Sequence, residues 1–322
     1  SLAPRLDGIG AALALVHSLA GVAPPSPLLL LTRGAQVAAP LCAAAPACGA
    51  ANGGAWGFGR VVRLEHARLR GQSADAPAWA SAAAMGGALA CAAAAPPAAE
   101  AEVAWGAASS RHAARLRVCA AASVLEGRPE VARGSYAITG GLGGLGLRAA
   151  ALLVGAGASE VALGSRSGRV ARDGQGLHAM LLALARGGAV RAAAADVADP
   201  LDACRLCSGL GARLSGALHA AGVLRDKLLR SMASSSLRAV FAPKALAASL
   251  IAQATLHYPP ATLLLFSAVA AVLGSIGQAS YSAANASLDG LALSRRLGGD
   301  SSTSPQVPGV SGAGVGASTV GG

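Results

Sequence analysis

From residue 135 onward the chain alternates short apolar runs with longer stretches in which apolar positions return every three or four residues. Residues 136–139, 160–164, 190–195, 215–218 and 262–267 are compact and apolar, bounded by Gly, Ser, Asp or His, as strands buried on both faces are. Residues 147–154, 177–185, 201–210, 236–256 and 279–297 have helical spacing. Strands that take turns with helices predict an α/β fold, a doubly wound parallel sheet with right-handed crossovers.

Upstream the pattern is sparser. Residues 9–19 and 56–69 read as helices, and the run Leu28-Leu29-Leu30-Leu31 reads as a strand closed by Thr32-Arg33-Gly34. Residues 70–110 are Ala-rich without a clear period. After Gly298 the composition turns to Gly, Ser, Pro and Thr, the signature of a linker or tail. The expected organisation is a smaller α/β unit over 1–133, the main unit over 134–297, and a tail or degenerate last strand over 298–322. A length of 322 residues suits two domains.

Composition removes whole classes. Charged residues make up 13%, too few for a coiled coil or an acidic disordered tail. Six irregularly spaced Cys exclude a short disulfide scaffold. The net charge of +11 is almost all Arg, since Lys227 and Lys244 are the sole lysines. Aromatics are 3% and no Lys/Arg run occurs, so no nucleic-acid partner is expected. The uncharged stretches 76–99 and 245–288 are broken by Pro96-Pro97 and Pro259-Pro260. The apolar core of the second, 263–273, falls short of the ~20 residues of a spanning helix, so no membrane span is expected. No basic-then-apolar leader follows Ser1. That predicts a soluble piece of a longer chain in a reducing compartment, the cytoplasm or an organelle interior.

Candidate chemistry begins after the strand at 136–139, with Thr139, Gly140, Gly141, Leu142, Gly143, Gly144, Leu145 and Gly146. Glycines 141, 143 and 146 fit G-x-G-x-x-G, which lets backbone N–H groups approach a pyrophosphate at a helix N-terminus. With 43 glycines a chance match is easy, so the strand before and the helix after carry the reading. Where NAD-binding chains place an acid after the second strand, Ser165 and Arg166 stand instead. Arg suits a 2′-phosphate, which predicts NADPH, although an Arg there can equally be a solvated surface residue. Tyr281 and Asn285 lie four apart on a predicted helix and share one face. Cys204 and Cys207 form a CxxC without a second pair or a nearby His, so no metal site is expected.

Together with Asp196-Val197, HAAG (219–222), FAPKA (241–245), Phe266-Ser267 and GQASYSAANA (277–286), these motifs resemble the ketoreductase domain of modular type I polyketide synthases. That group is a branch of the short-chain dehydrogenase/reductase superfamily. LTRGAQ (31–36) and WGFGRVVRLE (56–65) are similar to its N-terminal structural subdomain, a truncated Rossmann-like unit. The resemblance reaches from about residue 9 to 296. It implies NADPH-dependent reduction of a β-ketoacyl thioester, tethered by phosphopantetheine to an acyl carrier protein, to the β-hydroxyacyl thioester during chain extension. Neighbouring synthase domains would be further partners.

Matched position by position, the resemblance makes Tyr281 the proton donor to the ketone and Lys244 the ammonium that lowers the Tyr pKa and helps order the cofactor. Asn285 is the fourth member of that tetrad. A phenol with a pKa of about 10 is a poor acid near neutrality unless a cation biases it. The glycine loop with Ser165 and Arg166 matches the NADPH site, Asp196 and Val197 the adenine contact, and Ala220, Ala221 and Gly222 the nicotinamide-side loop, shaped by His219. Leu224-Arg225-Asp226 resembles the Leu-Asp-Asp signature of members that give the D-configured alcohol, with Asp226 its last residue. Leu273 stands where the opposite stereochemical type has Trp.

Two positions depart from the family. Its carbonyl-polarising Ser falls thirteen residues before the Tyr, where this chain has Ala268. Ser267 is adjacent, but neighbouring side chains on a strand point to opposite faces, so it substitutes only if the strand end twists or bulges. Losing one such donor typically costs ~10²–10³ in rate. In the region of the family's Trp-Gly pair the chain reads Gln306-Val307-Pro308-Gly309, and the lid and last strand are expected to be missing. Two readings therefore stay open: a reductase, weakened by these changes, and a ketoreductase-like module that supports neighbouring domains without turnover.

Overall fold

The computed structural model describes residues 3–24, 26–36, 50–78, 80–93, 100–106, 110–116, 132–170, 175–210 and 214–309. The chain folds as two compact units, each discontinuous in sequence. Unit 1 takes Ser1–Ala114, Val223–Ser249 and Leu265–Pro308, and unit 2 takes Arg115–Gly222, Leu250–Leu264 and Gly309–Gly322. The boundaries read from the sequence divide the chain by motif, these units by contact. Cys42, Cys48, Cys119 and the tail beyond 309 lie outside the described residues.

The N-terminal part of unit 1 runs α1 (Leu6–Leu19), β1 (Leu29–Arg33), α2 (Gly53–Glu65), β2 (Gln72–Ala76), α3 (Ala82–Ala93), β3 (Glu102–Trp105) and β4 (Arg111–His112). The strands form a sheet in that order, with β1, β2 and β3 parallel and β4 antiparallel at the edge. The Ala-rich stretch with no sequence period thus holds two strands and a helix. In β2 a buried carboxylate replaces the usual apolar pattern. Asp75 accepts from Thr32 Oγ1 at 2.6 Å and from the Ala35 and Gln36 N–H groups at 2.9 and 3.0 Å. Trp56 Nε1 in turn donates to Thr32 Oγ1 at 2.9 Å. Burial pushes the Asp75 pKa up and these donors oppose it. The LTRGAQ segment is therefore a hydrogen-bonded turn closed on β2.

Unit 2 holds the predicted alternation: β5 (Ser135–Thr139), α4 (Gly144–Gly155), β6 (Glu160–Ser165), α5 (Leu177–Arg186), β7 (Val190–Ala194), α6 (Pro200–Ser208), β8 (Leu214–His219) and β9 (Thr262–Leu265). Its strands lie in the order β9-β8-β5-β6-β7, with β5 parallel to both β6 and β8. The order reverses at β5 and β8, so the loops after these two strands share a switch point, the usual ligand position of such sheets. Ile138, Leu147, Val161 and Leu163 form part of the core and are wholly buried.

The chain after 222 corrects two sequence expectations. Residues 236–256 are not one helix: α7 (Ser234–Phe241) ends in a π-helical turn, Ala242–Leu246, before α8 (Ala247–Ala254). Pro243 lies in the first turn of that segment and has no N–H to continue an α-helical ladder. The strand expected over 262–267 is two, β9 and β10 (Ser267–Ala268). Then come α9 (Ala270–Leu273), α10 (Ala279–Leu297), β11 (Ser302–Thr303) and β12 (Gln306–Val307). These last two strands fall at the start of the stretch expected as a tail or degenerate last strand, and β12 pairs in parallel with β10. Helices α1, α2, α7 and α10 share one apolar core that includes Ile9, Leu13, Phe58, Val62, Phe241 and Ala283. α2 lies so close to α10 that a Cβ on Gly57 would stand 2.2 Å from the Ser282 carbonyl oxygen.

Candidate active site

In unit 1, α10 sets Tyr281, Asn285 and Asp289 four residues apart on one face. The helix forms from a run of small residues whose buried side, from Ala279 to Leu288, packs against the core. Tyr281 is half-buried, and burial pushes its hydroxyl pKa up, with Asn285 opposing and the Asp226 charge adding. Asn285 is fully buried and donates from Nδ2 to the Tyr281 carbonyl at 2.9 Å.

Lys244 stands on the π-helical turn, buried, with Nζ 5.5 Å from the centroid of the Tyr281 ring and 3.1 Å from the Phe266 carbonyl to which it donates. Burial pushes its pKa down to about 8, and the Asp289 carboxylate works against that shift. Asp289 has its own pKa raised by burial, opposed by hydrogen bonds from Ser304, Ser267 and Gln306 and by the charge of Arg60. Ser304 Oγ donates to Asp289 Oδ1 at 2.5 Å. Sequence reasoning missed this carboxylate, although its place two turns after Tyr281 was a readable signal.

Ser267 is buried, and its hydroxyl lies between two acceptors, the Asn285 carbonyl at 3.3 Å and the Asp289 carboxylate. Ala268 is also buried and pairs with Val307 across the β10–β12 ladder. Tyr281, Lys244, Asn285 and Ser267 are thus gathered around one face of α10. Asp226 is exposed and accepts from Gln278 Nε2 at 3.1 Å, three residues before Tyr281.

In unit 2, the loop Thr139–Gly146 turns from β5 into α4. Gly140 has φ +66, and a Cβ there would stand 2.6 Å from the Ala221 nitrogen. A Cβ on Gly146 would stand 2.4 Å from the Gly140 carbonyl. Such crowding admits glycine alone. Leu142 is wholly buried beneath the loop. The Gly143 N-cap offers no side-chain acceptor to the first N–H groups of α4, which leaves a helix N-terminus suited to an anion. Thr139 Oγ1 lies 2.6 Å from His219 Nδ1, and the Ala220 N–H donates to the Thr139 carbonyl at 2.9 Å. These bonds tie the Ala220-Ala221-Gly222 segment to the glycine loop at the switch point. At the end of β6 the Ser165 hydroxyl is buried with no partner among the described residues, and Arg166 is exposed. Asp196 is exposed and closes a turn by accepting from Ala198 N–H at 3.1 Å, while Val197 is buried. A glycine cradle, an uncapped helix N-terminus and an orphaned hydroxyl fit a nicotinamide dinucleotide. Among the described residues no helix is long and apolar enough to cross a membrane, and no group of three or more His, Cys, Asp or Glu could hold a metal.

Comparison with known proteins adds independent findings. A family model described as the KR domain matches residues 134–311. The chain is 35% identical over 295 residues to the polyketide synthase GfsA of Streptomyces halstedii, across 88% of this chain and 4% of that protein. It is 38% identical over 205 residues to a 6-methylsalicylic acid synthase of Arthrobotrys oligospora, across 58% of this chain and 12% of that protein. The chain therefore spans a small fraction of these curated relatives. Among solved structures it is similar to an A-type ketoreductase from a modular polyketide synthase (34% identity, TM-score 0.75, 91% of this chain and 61% of that one). It is also similar to the ketoreductase of the first module of phoslactomycin biosynthesis in Streptomyces sp. HK803 (30% identity, TM-score 0.77, 95% and 69%).

Proposed function

Because the chain belongs to the KR-domain family of ketoreductases, we propose that it reduces the β-ketone of an acyl thioester carried on an acyl carrier protein, as one domain of a larger polyketide synthase. The observation that carries this reading is Lys244 Nζ over the Tyr281 ring at 5.5 Å, with Asn285 one helical turn on.

When bound, NADPH supplies the hydride that adds to the β-carbon. Tyr281 Oη gives its proton to the ketone oxygen as negative charge develops there, and the product is the β-hydroxyacyl thioester. A raised phenol pKa keeps that proton in place until the oxygen becomes basic. Lys244, charged below about pH 8, favours the phenolate left behind. Asn285 braces the backbone at Tyr281 through its side-chain amide. In unit 2 the glycine loop and the α4 N-terminus would hold the pyrophosphate, and Asp196 with Val197 would border the adenine. Arg166, exposed at the end of β6, would pair with a 2′-phosphate and so favour NADPH.

Ala268 favours a second reading, a module that binds cofactor but turns over slowly or not at all. The neighbouring Ser267 hydroxyl is engaged by the Asn285 carbonyl and the Asp289 carboxylate. Turnover of a β-ketoacyl thioester mimic with NADPH, followed by loss of nicotinamide absorbance, decides between the two. Ketone-dependent oxidation supports the reductase, and cofactor binding without it supports the silent module.

A further inference from the structure

Glu65, the last residue of α2, has no role in the chemistry above, yet its carboxylate reaches two distant backbone segments. Oε2 accepts the Leu229 N–H at 2.6 Å and Oε1 accepts the Gly277 N–H at 2.8 Å. These bonds span 164 and 212 residues of sequence. The two segments are those next to the reacting face. Leu229 follows Asp226 by three residues, and Gly277 precedes Tyr281 by four.

The segments are also joined to each other. Lys227 N–H donates to the Gly277 carbonyl at 2.7 Å, and Gln278 Nε2 donates to Asp226 Oδ2 at 3.1 Å. The Leu229 carbonyl is 2.7 Å from His17 Nε2 of α1, and the Leu229 side chain is wholly buried in the core. The turn at Leu229 is thus anchored by its side chain and by both polar groups of its backbone. Gly277 has φ +79 and open space where a Cβ would stand, so close packing does not fix it. Hydrogen bonding does. A carboxylate that accepts two N–H groups makes bonds roughly twice as strong as neutral ones.

We propose that Glu65 is a positioning residue that fixes the angle at which the substrate ketone meets Tyr281, by holding the 226–229 and 277–278 segments in register. The proposal rests on the reductase reading. A Gln at this position keeps one acceptor oxygen and sets an NH2 group against the other N–H, so one of the two segments loses its bond to α2 and is loosened. The loosened segment widens the ways an acyl chain can present its ketone, and both faces of the carbonyl become reachable.

The test uses the full chain and a β-ketoacyl thioester mimic with NADPH, and compares the parent, Glu65→Gln and Glu65→Asp. Chiral separation of the β-hydroxy product is read together with kcat, KM and the thermal midpoint. In a folded Glu65→Gln protein the minor enantiomer should rise about tenfold and KM severalfold, with a smaller loss in kcat. Glu65→Asp, which keeps the charge on a shorter arm, should fall between Gln and the parent. If Glu65→Gln does not fold, Glu65→Asp decides alone, through a rise of about threefold in the minor enantiomer. An unchanged enantiomer ratio and KM in the folded variant, or a racemic product from the parent, overturns the inference while leaving the reductase reading standing. A parent that binds NADPH but does not turn over overturns both.

Discussion

Replacing Gly57 by Ala tests the closeness of α2 and α10. The added Cβ would stand 2.2 Å from the Ser282 carbonyl oxygen, 2.6 Å from its carbonyl carbon and 2.9 Å from the Ala286 Cβ. Non-bonded heavy atoms prefer about 3.5–4.0 Å, so the helices must part by about 1 Å. Two of those three atoms are backbone in the interior of a 19-residue helix and cannot swing aside. Overpacking of this kind costs about 1–3 kcal/mol, against about 1 kcal/mol gained in helix propensity from Gly to Ala. A net loss of up to about 2 kcal/mol lowers the melting midpoint by up to several degrees, at roughly 2–4 °C per kcal/mol for domains of this order of size. Ser282 is the residue after Tyr281, so turnover should fall by more than stability does, since about 1 Å of misplacement can cost ~10²-fold. Gly10 on α1 is the control. Nothing lies within 4 Å of its would-be Cβ, and Gly10→Ala should hold or raise the midpoint. Circular-dichroism melts of both variants, with turnover at a temperature where each is folded, make the comparison. A Gly57→Ala protein that melts above the parent, as Gly10→Ala is free to do, refutes the account of the interface.

Four other outcomes are expected. Lys244 loses its charge near pH 8, so kcat/KM should decline as pH rises through that value. The same shift links to stability: between about 8 and the ordinary 10.5 the unfolded chain binds the extra proton, so stability rises with pH there, and urea midpoints of Lys244→Met should lack that rise. Tyr281→Phe should abolish reduction while calorimetry still finds NADPH binding near the parental affinity; retained turnover removes Tyr281 as the proton donor. Ala268→Ser should raise kcat by about tenfold or more by restoring a donor to the developing alkoxide, whereas Ser267→Ala, whose hydroxyl faces the Asn285 carbonyl, should alter kcat only slightly; the reverse pattern would show that Ser267 is the working hydroxyl. Arg166→Asp should weaken NADPH binding and narrow its margin over NADH, and equal affinities in the parent would refute the 2′-phosphate assignment.

The legible parts of this chain are those where a local rule and the tertiary structure agree. α10 begins and ends where its apolar spacing predicts, and the glycine loop lies between a strand and a helix as its motif requires. α3 was illegible because Ala on every face leaves no contrast for a period to register. β2 reads Gln-Ser-Ala-Asp-Ala, with no β-branched residue, and is a strand because Asp75 collects donors from a segment some forty residues away. The sequence placed Tyr281, Lys244 and Asn285 by family likeness. Asp289 and Glu65 escaped because their partners are set by the fold: Ser304 for one, Leu229 and Gly277 for the other.

The wide turn at Ala242–Leu246 means that the direction of the Lys244 ammonium is a matter of helical phase. A π turn carries one residue more than the α-helical path it replaces, and one residue is about 100° of rotation. Pro243 makes the wide turn the easier course, since a tight one would press its ring against the carbonyl four residues back. A deletion of one residue just before Lys244 would therefore preserve most of the helix while turning the charge away from the phenol. Length, here, is as much a determinant of the chemistry as residue identity.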